Sequence, residues 1–128
     1  MAPPPFVPGR HAIEAYGGGG FRFAGMSHLG SILATPSGVA AIGATTIDEV
    51  DEAALAPLMA EIAATPGSVE LLIVGVGERM VRAPPALAAL LRSAGLRFET
   101  MATGPAARVY NVMVEEERRV AALLIAVA

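Results

Sequence analysis

Residues 69–76, Val-Glu-Leu-Leu-Ile-Val-Gly-Val, are apolar apart from Glu70 and Gly75, and they run into the break Gly75-Val76-Gly77. An extended segment that is apolar on both faces has to be covered on both faces, so this run predicts a strand at the centre of a layered sheet. A helix follows. Pro84-Pro85 opens it, Leu87, Leu90, Leu91 and Ala94 form one face, and Gly95 closes it. Residues 97–101 read as the next strand. Thr103 then caps a helix in which Ala106, Val109, Tyr110, Met113 and Val114 recur at helical spacing, and residues 120–127 read as a further buried strand. Strand, helix, strand, helix, strand predicts an α/β fold whose core sheet is largely parallel, with residues 69–76 and 97–101 parallel because a helix separates them.

The first half carries shorter, extended signals. Residues 13–16 and the alternating Phe21-Arg22-Phe23 flank Gly17-Gly18-Gly19-Gly20, which predicts a hairpin around a flexible turn. A phosphate-cradling loop would need a following helix and gains from a lysine, and neither is present. Residues 31–34 and 39–42 read as two more strands. From Thr46 the period lengthens, with Leu55, Leu58, Met59 and Ile62 on one helical stripe and Thr46-Ile47-Asp48-Glu49 in capping-box form. Pro57 requires that helix either to start near residue 54 or to kink, and Thr65-Pro66-Gly67 ends it. The proline-rich start predicts a mobile lead-in over residues 1–11, which leaves residues 12–128 as a single α/β domain with an N-terminal β-rich addition.

Composition narrows the function classes. With 128 residues, 54% hydrophobic and 16% charged, the chain is one globular domain and not a disordered segment. Net charge is −3, and all nine basic residues are arginines, of which only Arg118 and Arg119 are adjacent. No basic stripe is available to displace counterions, so nucleic acid and anionic membrane surfaces are not expected partners. The absence of cysteine removes thiolate nucleophiles, disulfides and zinc thiolate sites, and His11 and His28 are too isolated for a metal site or a triad. No metal and no cofactor are therefore expected. The longest apolar run, residues 120–128, is nine residues against the roughly 20 of a membrane helix. The start lacks a basic segment followed by an apolar one, so a soluble cytoplasmic protein is expected.

Two loci could carry function. Gly75-Val76-Gly77 stands where a buried strand turns toward a helix, but Met80 replaces the third glycine of a dinucleotide fingerprint and Pro84-Pro85 delays the helix, which favours a tight structural turn. The stretch over residues 103–111 is the richer one. At 100° per residue Thr103, Ala106, Ala107 and Tyr110 share a face, while Arg108, Asn111 and Glu115 lie on or near the opposite one. The first face predicts a ligand-binding locus of Gly75, Gly77, Thr103 and Tyr110, or a structural tyrosine beside a capped helix. The second predicts an interaction surface of Arg108, Asn111 and Glu115. Glu115-Glu116-Glu117-Arg118-Arg119 reads as a charged, solvated helix end, since adjacent helical residues point apart.

Ile13-Glu14-Ala15-Tyr16-Gly17, Phe21-Arg22-Phe23, Gly30-Ser31-Ile32-Leu33 with Pro36, residues 70–77, residues 103–111 and Glu116 with residues 118–122 occur here in one order and spacing. Together they resemble a small archaeal, bacterial and mitochondrial domain family that includes the mitochondrial respiratory complex I assembly factor 3 and an adipogenesis-associated human protein. The resemblance covers roughly residues 12–127. It implies a three-layer α/β fold with a mixed central sheet, no established catalysis, no known cofactor and, in the mitochondrial branch, help in assembling complex I. The chain departs from the family pattern at Ile42, where tryptophan is common, at Val109, where threonine usually precedes Tyr-Asn, and at Glu117, often glycine. Two functions remain open at this point: a non-catalytic interaction or assembly protein with a protein partner, and a small-molecule-binding or enzymatic domain with a pocket near Gly75, Gly77, Thr103 and Tyr110.

Overall fold

The apolar run is a strand, and the sheet built around it organises the molecule. The computed structural model describes residues 6–128. Along the chain come β1 (Phe6–Pro8), β2 (Ala15–Gly17), β3 (Gly20–Phe23), β4 (Met26–Leu29), β5 (Ser31–Thr35), β6 (Gly38–Ile42), a short 3₁₀ turn (Ile47–Glu49) and α1 (Glu52–Ala64). The second half adds β7 (Leu71–Gly75), α2 (Pro85–Ser93), β8 (Arg97–Met101), α3 (Thr103–Glu115) and β9 (Val120–Leu124). Six strands form one sheet in the order β1-β6-β5-β9-β7-β8, and β2-β3-β4 form a separate antiparallel sheet.

The main sheet is mixed, as expected. β7 runs parallel to both β8 and β9, while β5 pairs antiparallel with β9 and β6, and β6 with β1. Every residue of β5, β7 and β9 is buried, as continuous apolar runs covered on two faces require. β7 nevertheless lies one place in from an edge, with β8 outside it.

Two apolar layers sandwich the sheet. On one face Leu55 and Leu58 of α1 and Leu87 and Leu91 of α2 pack onto Leu33, Leu72, Val74 and Leu123. On the other, Ala106, Ala107 and Tyr110 of α3 cover Ile73, Val120 and Leu124, and Ile13, Phe21 and Phe23 from the β2-β3-β4 region join the same core. The result is the three-layer α/β architecture.

Some local expectations shift. The capping box closes on the 3₁₀ turn, where Glu49 reaches back to Thr46 N–H at 3.0 Å, and α1 starts instead at Asp51, whose carboxylate accepts from Ala54 N–H at 3.0 Å. Pro57 lies inside α1. In the proline-rich lead-in expected over residues 1–11, residues 1–5 fall outside the described residues, and Phe6–Pro8 are a strand paired with Gly38, Val39 and Ala40. β4 was not signalled by the sequence, because its Met-Ser-His-Leu has no clear alternation.

Candidate functional site

α3 begins two residues after β8, which puts Thr103 at the carboxyl ends of the parallel strands. Its N–H donates to the Gly77 carbonyl at 2.8 Å, and its hydroxyl accepts from Gly77 N–H at 3.0 Å and donates to the Ile125 carbonyl at 2.7 Å. Val76 N–H donates to the Met101 carbonyl and Ile125 N–H to the Gly75 carbonyl, each at 2.9 Å. One fully buried threonine thus clasps the ends of β7, β9 and α3. It does not cap its helix in the way the sequence predicts: Ala102 holds the N-cap position, and the Thr103 hydroxyl reaches sideways to neighbouring strands instead of down onto its own turn.

Gly75 is where the helix touches the sheet. A Cβ there would lie 2.9 Å from Leu124 Cδ2, 3.0 Å from Thr103 Cα and 3.1 Å from Ala106 Cβ, so only glycine lets α3 settle this close. Gly77 has φ +118° and turns the chain away from the sheet. Of the four residues expected to form a ligand locus, Gly75, Gly77 and Thr103 therefore meet. Tyr110 does not join them. It stands seven residues further along α3, about 10 Å down the helix axis, with no exposed surface. Its hydroxyl has no hydrogen-bond partner among the described residues. Desolvation pushes its pKa up to about 12, with the Arg10 charge opposing and Glu61 reinforcing the rise. Of the four, Gly77 borders an open cleft of about 330 Å³, with Thr45, Asp48, Glu78 and Ile125 among its walls.

The expected interaction surface divides. Arg108 and Glu115 are exposed on α3. Asn111 is half-buried and occupied: its Oδ1 accepts from Ile13 N–H at 2.7 Å and its Nδ2 donates to the Ile13 carbonyl at 2.8 Å. The helical wheel expects Asn111 on an open surface, but the chain entering β2 lies along that flank of α3 and takes both amide groups. On the outer face Val112 is 54% exposed, and with Val109 and Met113 it forms an apolar hollow bordered by Arg108 and Glu116.

Two features escaped the sequence reading. The exposed Tyr16 packs so closely on α3 that a Cβ at Gly104 would collide with its hydroxyl, and a glycine in a first helical turn was the available signal. The charged helix end also makes contacts, because Arg118 and Arg119 pair with Glu70 at 3.2 and 3.3 Å. The hydrogen bond from Arg118 holds the Glu70 carboxyl below its usual pKa. Among the described residues no three His, Cys, Asp or Glu side chains gather as a metal site, and no helix is long and apolar enough to cross a membrane.

A family profile described as a protein of unknown function (DUF498/DUF598) matches residues 13–125. The chain belongs to that family. An uncharacterized protein of Rhodobacter capsulatus is 37% identical over 126 residues, covering 98% of this chain and 93% of the relative. A crystal structure described as an outer membrane protein from Bartonella henselae superposes with TM-score 0.85 at 42% identity, covering 94% of this chain and 98% of that one. A solution structure from Bordetella pertussis, described as a Mth938-like domain, gives TM-score 0.74 at 25% identity over 90% of this chain and 85% of that one. The two solved structures share this chain's fold over nearly its whole length.

Proposed function

We propose that this DUF498/DUF598 chain is a non-catalytic interaction or assembly protein of the cytoplasm, and that the α3 face bearing Arg108, Val112 and Glu115 engages a protein subunit during biogenesis of respiratory complex I or another membrane complex. One observation carries the reading. The Thr103 hydroxyl is committed to backbone groups as both donor and acceptor, so the polar side chain of the Gly75–Thr103 locus is not free to hold a ligand. The polar and apolar groups left open on α3 are surface ones, which is how a protein interface is built. The assembly role itself follows from the sequence resemblance.

Co-purification of the tagged chain from its native cell, scored for respiratory and membrane-complex subunits, tests this. Arg108→Ala, Val112→Ala and Glu115→Ala combined should strip away the captured subunits while each change moves stability by about 0.5 kcal/mol or less. Undiminished capture by that triple variant contradicts the reading. A small-molecule thermal shift abolished by altering Asp48 or Glu78 would point instead to the cleft beside Gly77.

A further inference from the structure

We propose that β8 is a self-association edge, through which two copies of this chain join their six-stranded sheets antiparallel, with Phe98 opposite Phe98 and Arg97 of each copy opposite Glu99 of the other. β8 is a terminal strand of the main sheet and pairs only with β7 among the described residues. Val76 N–H donates to the Met101 carbonyl, so Met101 and, by alternation, Glu99 and Arg97 turn their backbone groups toward β7. Phe98 and Thr100 turn theirs outward. Those groups have no backbone partner among the described residues.

The other described edges are less suited. β1 at the far side of the sheet spans three residues and ends in Pro8, which has no N–H to offer. β2 is also three residues long and runs into the glycine turn. β4 carries no charged residue to fix a register. β8 has five residues, neither proline nor glycine, and one charge of each sign.

Charge then selects the register. A two-fold axis relating antiparallel strands passes through a residue pair, so Phe98, Glu99 and Thr100 are the central choices. Centring on Glu99 sets Glu99 against Glu99. Centring on Thr100 sets Glu99 against Met101 and leaves Arg97 without an opposite charge. Centring on Phe98 uses its outward N–H and carbonyl for a reciprocal hydrogen-bonded pair, lets Thr100 N–H reach the Leu96 carbonyl, and makes Arg97 and Glu99 cross-strand neighbours twice over. Within one chain neither Arg97 nor Glu99 has an ion-pair partner among the described residues, and both are exposed. Strand alternation puts the Phe98 side chain on the opposite face from the two charges, where it packs on the core beneath α1 and α2 with the Arg92 guanidinium 5.6 Å over its ring.

Sedimentation equilibrium of the full chain at roughly 10–500 µM, suited to an interface below standard size, tests the proposal. The native chain should show a monomer–dimer equilibrium. Glu99→Arg alone and Arg97→Glu alone should each weaken it tenfold or more, since each homodimer then opposes like charges. Mixed together, the two variants should form a 1:1 heterodimer, because Arg97 and the new arginine of one face the new glutamate and Glu99 of the other. A monomeric native chain overturns the proposal. So does a mixture that stays monomeric, or single variants that dimerise as well as the native chain, either of which would place any dimer on another face.

Discussion

Tyr110 is enclosed in the core with its phenol unpartnered among the described residues, and this makes it a probe of the packing around it. Replacing it by Phe at pH 7 should change stability by about 1 kcal/mol or less, because no hydrogen bond to another residue is lost. Alkaline pH should separate the two proteins. With its folded pKa raised to about 12 from 10.0, Tyr110 stays protonated in the native state after the unfolded chain has begun to release the proton. Its contribution is therefore fully present below pH 10 and declines as pH rises toward 12, by roughly 2–3 kcal/mol for a shift of that size. The sequence contains no lysine or cysteine, whose side chains would add their own titration in that window. Urea unfolding at a series of pH values should show a steep loss that Tyr110→Phe removes, and equal slopes would contradict the enclosed phenol. Asn111 tests a different contact: Asn111→Ala should destabilise by about 1–3 kcal/mol through the unpaired Ile13 backbone. The helical wheel alone assigns Asn111 to an open surface, where truncation usually changes stability little. Periodicity reports which face of α3 meets the main sheet, but it carries no information about a second layer that approaches the flank.

Elements whose signals are local were readable. α2 has Pro84-Pro85 at its start and Gly95 just past its end, and the structure places the helix at Pro85–Ser93 with Gly95 at φ +71°. α1 was displaced because the capping-box pattern at residues 46–49 satisfies a 3₁₀ turn as readily as an α-helix, and Asp51 supplies a second cap. β4 pairs with β3 across Ala24-Gly25, so it owes its existence to a partner strand more than to its own pattern. The end of α3 offers a test at this scale. Glu117, where the resembled family often has glycine, adopts φ +58° just beyond the helix, a conformation that costs an L side chain about 1–2 kcal/mol. Glu117→Gly should raise stability by roughly 0.5–1 kcal/mol in thermal or denaturant unfolding, the relief of strain exceeding the added freedom of the unfolded chain. A loss of stability would mean that the Glu117 side chain contributes more than its backbone strain.

For the whole molecule, the alternation of strands and helices over residues 69–127 was enough to anticipate a parallel core, since each helix must carry the chain back across the sheet. The antiparallel half was less legible. Short strands such as β5 and β6 declare that they are extended but not whom they pair with, and the insertion of β9 between β5 and β7 joins segments far apart in sequence. The same separation explains the locus at Thr103: its position at the end of β8 could be read, whereas its hydrogen bonds to Gly77 and Ile125 depend on β7 and β9 being neighbours. That clasp is the centre of the account, in which the conspicuous polar residue of the locus holds the fold and the partner binds elsewhere. The most direct measurement compares Thr103→Val with the native chain in unfolding and in capture of subunits from the native cell, at a temperature where both are folded. Removing the hydroxyl leaves the Gly77 N–H and the Ile125 carbonyl unpaired, so stability should fall by about 2–4 kcal/mol, with Thr103→Ser retaining most of it, while capture stays at the native level. Unchanged stability together with lost capture by the folded Thr103→Val chain would contradict the account and return Thr103 to a binding site.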